Sequence, residues 1–226
     1  MELDAGLRPE GKGGPLVPSL EAYKRYYEKR ARLWERQALL RARPLAGDES
    51  LGAEFAALAD QHRYRPTGLS NEELVEFRRM KARVETERLP KGADRSWHTK
   101  LGRGGLVDIE WTAQLLQLQH AGEYPQLRTT QTVAVVREAS ALDLLEGPES
   151  EDLIASWLFV SRVRNAMTLA GGAPRDELPR NGAQLQIVAQ ILGHEPEAEE
   201  FTDHYLRATR KGHAAAHHIV YETDDH

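Results

Sequence analysis

Apolar side chains recur at intervals of three and four residues along most of this chain. That spacing is typical of amphipathic helices, and no convincing alternation of period two follows Val17. The pattern therefore predicts a mainly all-α fold in the form of a helical bundle. We expect helices over about residues 19–43, 48–58, 70–88, 102–120, 130–145, 150–170, 184–192 and 197–221.

Residues with capping chemistry stand at several of the predicted helix ends. Ser19 and Asp48 are each placed to cap a first turn, and Ser70 with Glu73 three residues later has the pattern of a capping box. Pro44 is expected to end the first helix, because the residue before a proline is disfavoured in the helical conformation. These local signals support the boundaries that the apolar pattern indicates.

The first 18 residues differ from everything after them. Glycines alternate with prolines there, a composition typical of loop and short strand. We expect Asp4 to lie at the end of that strand, close to Arg8. A carboxylate in such a place suits metal and phosphate chemistry, although spacing alone favours an ordinary solvated Asp4.

Composition and charge exclude several classes of protein. The 226 residues carry a formal net charge of −5 and no cysteine, which argues against general attraction to nucleic acid or anionic lipid and excludes disulfide, thiol and zinc–thiolate chemistry. No apolar run approaches the roughly 20 residues that span a bilayer, and the N-terminus does not resemble a signal peptide. A cytoplasmic location is the resulting expectation.

A basic segment follows Trp34. Arg36 and Arg43 are two helical turns apart and are expected to point the same way, so the pair could hold a triphosphate. The alternative is a solvated basic face on which Glu35 serves as an intrahelical partner, and the pattern alone favours it.

A glycine-rich segment opens the helix predicted after residue 102. Lys100 supplies positive charge, while Gly102, Gly104 and Gly105 would allow a ligand to approach the backbone at a helix N-terminus. The alternative is a capped helix in which Asp108 favours the dipole. Physical reasoning leaves the anion site and the structural cap evenly balanced, and the segment is not a Walker A loop.

Two further groups have weaker patterns. His213 and His217 are four residues apart on one predicted helix, a spacing that can bind a metal, but a surface pair is favoured. Aromatic side chains near the N-terminus are expected to pack between helices and not to stack on bases. These are Tyr23, Tyr26, Tyr27 and Trp34.

Three segments taken together resemble glutamine synthetase adenylyltransferase. They are LRPEGKGGPLV at 7–17, WERQALLRAR at 34–43 and KLGRGGLVDIEW at 100–111, and the likeness covers nearly the whole chain. The stretch RVETERLPKGAD at 83–94 is similar to the C-terminal, adenylylating half of an actinobacterial-type enzyme. Each motif alone is modest, but three long motifs in the same order make the match specific.

The resemblance implies a domain organisation. Residues 1–18 would be the C-terminal remnant of a nucleotidyltransferase domain, with a short strand or loop left from its sheet. Residues 19–99 would be linking helices that complete the nucleotidyltransferase region, and residues 100–226 would form the C-terminal helical domain. The related uridylyl-transferring enzyme of nitrogen control, which shares the helical domain type, is the less favoured alternative.

The resemblance also implies a reaction and its residues. AMP would pass from ATP to a tyrosine of glutamine synthetase, with Mg²⁺ as cofactor, and Asp4 would be the last of three catalytic metal-binding carboxylates. The Gly-Ser loop and the Asp-x-Asp pair that complete such a site are expected upstream of Met1, so this chain alone would be inactive. The candidates for nucleotide and phosphate binding are Arg8, Arg41, Lys100, Gly102, Gly104 and Gly105.

The alternative function is a non-catalytic docking module. Long amphipathic helices and mixed surface charge suit a partner surface, and the partners implied are glutamine synthetase, a PII-type signal protein or glutamine. Neither nucleic acid nor a membrane is an expected partner. In either role the chain would belong to the regulation of nitrogen assimilation.

Overall fold

The computed structural model describes Gly6, residues 8–194 and residues 198–222. In that part of the chain the secondary structure is helical, and an isolated bridge between His98 and Glu177 is the β-type pairing present. The helices are α1 (Leu20–Lys29), α2 (Leu33–Leu39), α3 (Glu49–Arg63), α4 (Asn71–Glu87), α5 (Leu106–His120), α6 (Thr132–Ala141), α7 (Gly147–Gly171), α8 (Gly182–Ile191) and α9 (Ala198–His217). The predicted all-α class is confirmed.

Capping residues begin three of the helices as the sequence predicts, and at the start of α1 the Ser19 hydroxyl accepts a hydrogen bond from the Ala22 amide at 3.3 Å. The Asp48 carboxylate accepts a hydrogen bond from the Leu51 amide at 2.8 Å at the start of α3. At the start of α4 the Ser70 hydroxyl accepts from the Glu73 amide at 3.3 Å, and the Glu73 carboxylate accepts from the Ser70 amide at 3.0 Å. These interactions satisfy amides that have no partner inside the helix.

The first predicted helix is wrong in its extent. The structure has two helices, α1 and α2, separated by residues 30–32. The Arg32 amide donates to the Glu35 carboxylate at 2.9 Å, so Glu35 begins a new helix at a point where the apolar spacing alone would continue the old one.

The strand remnant predicted for the N-terminus is not found in the described residues. Between residues 8 and 18 the chain forms turns and a short 3₁₀ helix at Gly11–Gly13. A strand needs a hydrogen-bonding neighbour, and the described residues supply none to this segment. Residues 1–5, on which the prediction mainly rested, lie outside the described part.

Packing divides the chain into two compact units. Unit 1 comprises Met1–Phe77 and Gln117–Thr130, and unit 2 comprises Arg78–Leu116 and Gln131–His226. The division runs through α4 and α5, each of which contributes to both units. The sequence-based division at residues 18 and 99 concerns the extent of related domains and stays a prediction.

Aromatic and aliphatic side chains form the interior of unit 1. The Tyr23 ring packs edge-on against Phe55 with ring centroids 5.2 Å apart, which joins α1 to α3. Leu40, Leu58 and Phe77 are buried in the same unit at sequence-distant positions. The tyrosines therefore pack between helices as predicted, whereas Trp34 is 43% exposed and departs from that prediction.

Unit 2 is built around the long helix α7. Val160, Val163 and Met167 of α7 are buried in one apolar cluster with Val188 of α8 and Phe201 of α9. The side chains of α7 recur every three to four residues on the face that packs against its neighbours. No helix of the described residues is long and apolar enough to span a membrane, and the cytoplasmic location stays a prediction.

Candidate functional site

An open groove of about 460 Å³ runs along unit 1. Arg8, from the turns before α1, and Arg41, just after α2, both line it. Tyr23, Tyr27 and Trp34 supply aromatic walls. The fold therefore brings together two arginines that are 33 positions apart in sequence and that the sequence analysis assigned to phosphate binding.

A tight turn holds Arg8 at the groove. Its guanidinium donates from Nε to the Pro15 carbonyl oxygen at 3.1 Å and from Nη2 to the Gly14 carbonyl oxygen at 3.4 Å. A Cβ at Gly14 would lie 2.5 Å from the Pro9 carbonyl oxygen, so the turn closes only with glycine there. The local glycine-rich sequence thus positions the arginine.

Glu35 lies in the groove wall and is buried. Its carboxylate accepts from the Tyr26 hydroxyl at 2.7 Å in addition to the Arg32 amide. The hydrogen bond with Glu35 raises the pKa of Tyr26, and burial adds to the effect. Glu35 therefore organises α1 and α2 from inside, and its predicted role as partner on a solvated basic face is wrong.

Arg36 is likewise not part of a solvated face. It is 7% exposed, forms an ion pair with Glu73, and donates from Nε to the His62 carbonyl oxygen at 3.1 Å. Arg43 is exposed, so the two arginines do not form the pair that could hold a triphosphate. The apolar spacing did not predict the burial of Arg36, because an arginine counts as a polar position in the hydrophobic pattern.

The glycine-rich segment of unit 2 is packed against neighbouring backbone. A Cβ at Gly104 would lie 1.8 Å from the Thr209 carbonyl oxygen of α9, and one at Gly102 would lie 2.2 Å from the His98 carbonyl oxygen. Gly105 is buried in the same way, whereas Lys100 is exposed. Gly104 thus lets α5 begin in close contact with α9, and Gly102 and Gly105 let the preceding loop fold tightly on its own backbone.

Asp108 closes the first turn of α5 and ties it to two other helices. Its carboxylate accepts from the Gly104 amide at 3.0 Å, contacts Lys81 of α4, and lies 2.7 Å from His213 Nδ1 of α9. Burial alone would raise the pKa of Asp108, but the His213 hydrogen bond, the Lys81 charge and the Gly104 amide hold it below its usual range. The charged carboxylate thus links α5 to α4 and α9, and all of these contacts lie within unit 2.

Lys81 is the residue of this network that the sequence analysis missed. Its side chain is 3% exposed and contacts both Asp108 and Glu85. Burial would lower the pKa of Lys81, but the neighbouring Asp108 and Glu85 carboxylates raise it, so the ammonium stays charged. A lysine on the apolar face of a predicted helix was the signal available in the sequence.

No group of three or more His, Asp or Glu side chains in residues 8–194 and 198–222 is arranged to hold a metal ion. His217 is exposed and its ring contacts Glu222 at 3.1 Å, as the favoured surface reading expects, whereas His213 is half-buried against Asp108 and departs from that reading. Asp4, the proposed catalytic and metal-binding carboxylate, lies outside the described residues, and Mg²⁺ stays a prediction that rests on it.

The predicted phosphate-binding residues fall into two sets. Arg8 and Arg41 meet on the groove of unit 1. Lys100 and the glycines belong to unit 2, where the loop surrounds a small cavity of about 20 Å³ lined by charged side chains that include Arg95 and Arg103. The sequence analysis did not select Trp34 as a groove residue, because an aromatic at helical spacing is more often buried.

Two family models match successive parts of the chain. Residues 1–58 match the model described as glutamate-ammonia ligase adenylyltransferase, and residues 78–220 match the model described as GlnD PII-uridylyltransferase. The second match includes the glycine-rich segment, α5 and the Asp108 network. It agrees with the expectation that the two enzyme types share related motifs in this region.

Curated relatives cover both parts of the chain at once. The bifunctional glutamine synthetase adenylyltransferase/adenylyl-removing enzyme of Mycobacterium marinum is 50% identical over 97% of this chain and 22% of its own length. The enzymes of the same name from Mycobacterium leprae and Nocardia farcinica are 51% identical over 93% of the chain and 48% identical over 97%, corresponding to 21% and 22% of their lengths.

The chain therefore spans about a fifth of the length of the curated relatives it matches. Identity of about one residue in two across both units includes the segments from which the resemblance was recognised. On these grounds the chain belongs to the family of bifunctional glutamine synthetase adenylyltransferase/adenylyl-removing enzymes.

Proposed function

We propose that this chain is part of an enzyme that transfers AMP from ATP to a tyrosine of glutamine synthetase and so regulates nitrogen assimilation. The observation that carries the proposal is the groove of unit 1, where Arg8 and Arg41 lie together beside Trp34. Guanidinium groups bind phosphate oxygens in bidentate geometry and keep their charge at any physiological pH. The names of the relatives agree with this role.

The proposed reaction is an in-line displacement at the α-phosphorus of ATP. The tyrosine oxygen forms a new bond to that phosphorus, the bond from phosphorus to the bridging oxygen breaks, and pyrophosphate leaves with the bonding electrons. The hydroxyl proton passes to a base, for which Asp4 is the candidate that this chain offers. Arg8 and Arg41 bind phosphate oxygens and offset the negative charge that builds up on the leaving group.

Lys100 provides a second positive charge for phosphate in the proposed function. It is exposed at the start of the glycine-rich loop, and Gly102, Gly104 and Gly105 would act by fixing the course of that loop. The loop and the groove belong to different units, so their contributions are tested separately.

Calorimetric titration of the chain with ATP tests the phosphate role of the groove. We expect Arg8→Gln and Arg41→Gln each to weaken ATP binding by about tenfold, because each removes a charge-assisted hydrogen bond. Arg43→Gln is the matched control, since Arg43 is exposed two residues from Arg41 and does not line the groove. ATP affinity unchanged in both groove variants, or absent in the unaltered chain, would contradict the assignment.

We also propose that the chain alone does not transfer AMP. Its sequence contains no Asp-x-Asp pair, and the family's metal chemistry needs more carboxylates than Asp4. Incubation with labelled ATP and glutamine synthetase is expected to leave the synthetase unlabelled, while a full-length relative labels it under the same conditions. Transfer by the isolated chain above background would refute the proposal.

A docking role is the second candidate, favoured by apolar side chains on unit 2. Leu169, Ile187 and Ile191 are 74%, 46% and 44% exposed, and Ile187 lines a small cavity of about 30 Å³. Glutamine synthetase, a PII-type protein and glutamine would each be titrated into the chain. We expect the synthetase to bind and Ile187→Asp to weaken that binding; no binding by any of the three counts against a docking role.

A further inference from the structure

Two arginines of unit 1 meet around a single carboxylate, and one of them is also hydrogen-bonded to the backbone of a histidine. Arg36 of α2 contacts one oxygen of Glu73, and Arg65, in the turn after α3, contacts the other. Because Arg36 Nε also donates to the His62 carbonyl oxygen at 3.1 Å, His62 of α3 belongs to the same cluster. The cluster borders the groove, because the His62 ring packs against Tyr27 with ring centroids 5.4 Å apart.

Each of these three residues has a buried side-chain nitrogen without a hydrogen-bond partner. The atoms are Arg36 Nη2, His62 Nε2 and Arg65 Nε. The Arg36 side chain is only 8% exposed, so bulk water does not hydrogen-bond to its unpartnered Nη2. Buried polar groups in folded proteins are nearly always hydrogen-bonded, and three exceptions in one cluster point to an acceptor from outside the chain.

The charges of the cluster are also unequal. Two guanidinium groups face one half-buried carboxylate, so the ion pairs of the cluster hold one more positive than negative charge. Burial lowers the pKa of His62, with the charges of Arg36 and Arg65 adding to that effect against the opposing influence of Glu28, which is exposed on α1. The neighbouring Glu35 is occupied by Tyr26 and the Arg32 amide.

We propose that Arg36, His62 and Arg65 bind one small monovalent anion of the halide class. One negative charge balances the excess, and a spherical anion accepts from several donors at once. The three nitrogens are closed off from solvent, which favours chloride or bromide over the larger phosphate or sulfate. The Arg65 side chain is 34% exposed, and its movement is the route by which the anion reaches the site.

Thermal unfolding in two potassium salts tests the site. At equal ionic strength, with chloride about tenfold above its dissociation constant, the unfolding midpoint of the unaltered chain should be about 3 °C higher than in gluconate. Gluconate is too large for the site. A general salt effect would act on every variant alike, so the comparison among variants isolates the bound anion.

Arg65→Gln removes one donor and the excess charge at a partly exposed position, where the chain is expected to fold. We expect the difference between chloride and gluconate to disappear in this variant and to persist in Arg43→Gln, whose arginine is exposed outside the cluster. An equal chloride response in Arg65→Gln, or none in the unaltered chain, would overturn the proposal.

Crystals of the unaltered chain grown in sodium bromide give a second test that needs no variant. Bromide scatters anomalously, so a bound ion is distinguished from water. We expect an anomalous peak within hydrogen-bonding distance of Arg36 Nη2 and His62 Nε2. Density at the cluster without an anomalous signal would show that water satisfies these donors and would remove the anion site.

Discussion

The two units treat buried charge in opposite ways. In unit 2 the Asp108 carboxylate is matched by Lys81, His213 and the Gly104 amide, and each contact lies inside the unit. In unit 1 the Glu73 carboxylate is shared by two arginines, and donors of that cluster have no partner. The Asp108 network is closed, because its own residues supply every partner. The Glu73 cluster is open, because some of its donors have no partner.

This difference separates a structural network from a candidate ligand site. Charged groups attract attention in both units, but a buried charge whose hydrogen bonds and charge are balanced holds helices together and has no capacity for a ligand. An excess of donors and of positive charge is the sign of a partner from elsewhere. Three predictions test whether the charges around Asp108 are balanced within the unit and whether the cluster around Glu73 has donors left for a ligand.

Replacing Gly104 should have the largest effect. In Gly104→Ala the new Cβ would meet the Thr209 carbonyl oxygen, at a backbone φ of +66° that disfavours any other residue. We expect the free energy of unfolding, measured in urea, to fall by about 4 kcal/mol.

Gly147→Ala is the matched control for that measurement. No heavy atom lies within 4 Å of a Cβ placed at Gly147, which begins α7. Its free energy of unfolding should change by less than about 0.5 kcal/mol. A similar small effect at Gly104 would mean that the glycine loop is not held against α9, and a ligand role for the loop would gain weight.

Removing one cation from each network sharpens the comparison. Lys81→Met leaves the buried Asp108 short of its ammonium partner, and we expect a loss of about 3 kcal/mol in the free energy of unfolding. Arg36→Met leaves Glu73 paired with Arg65 and also removes an unpartnered donor, so a loss of about 1 kcal/mol is expected.

Urea unfolding of both variants in gluconate, where the anion site would be empty, provides the measurement. Equal losses of unfolding free energy in the two variants would show that the Glu73 cluster has no surplus of donors and positive charge. A larger loss for Arg36→Met than for Lys81→Met would show that the Glu73 cluster, and not the Asp108 network, is the closed one.

The smallest predicted effect is a change in acid sensitivity. The pKa of Asp108 is lowered in the folded state from 3.8, so its stabilising contribution is present above that value and is lost as the pH falls through the folded pKa. We expect stability to fall below about pH 4 in the unaltered chain and to fall less steeply, by about 1 kcal/mol over that range, in Asp108→Asn.

Urea midpoints between neutral and acid pH test this expectation, with Asp203→Asn as the exposed control on α9. The control should keep the acid slope of the unaltered chain. Identical slopes in all three proteins would show that Asp108 does not carry a lowered pKa in the closed network.

Local signals predicted the beginnings of the helices well. Asp48 and the pair Ser70 and Glu73 cap α3 and α4 through contacts three residues apart, which sequence spacing specifies directly. The break between α1 and α2 escaped prediction because Glu35 acts on Arg32 in a segment where the apolar spacing continues. The side chain of Tyr26, nine positions away, completes that contact.

The candidate site was predictable in part. Arg8 and Arg41 were selected through family motifs, but nothing in the sequence says that they share a groove. Lys81 and Arg36 were missed as buried groups because their partners, Asp108 and Glu73, are 27 and 37 positions away. Distances of that length are set by packing and not by helical periodicity.

The sequence by itself determined the helical class, most helix beginnings and the family. These properties depend on spacing, capping and motif order, which are local. Only the tertiary structure decided that Gly104 packs against α9, that Asp108 is fully matched and that Arg36 is buried with an unpartnered donor. Burial and charge balance arise from groups that meet after folding, so no local pattern contains them.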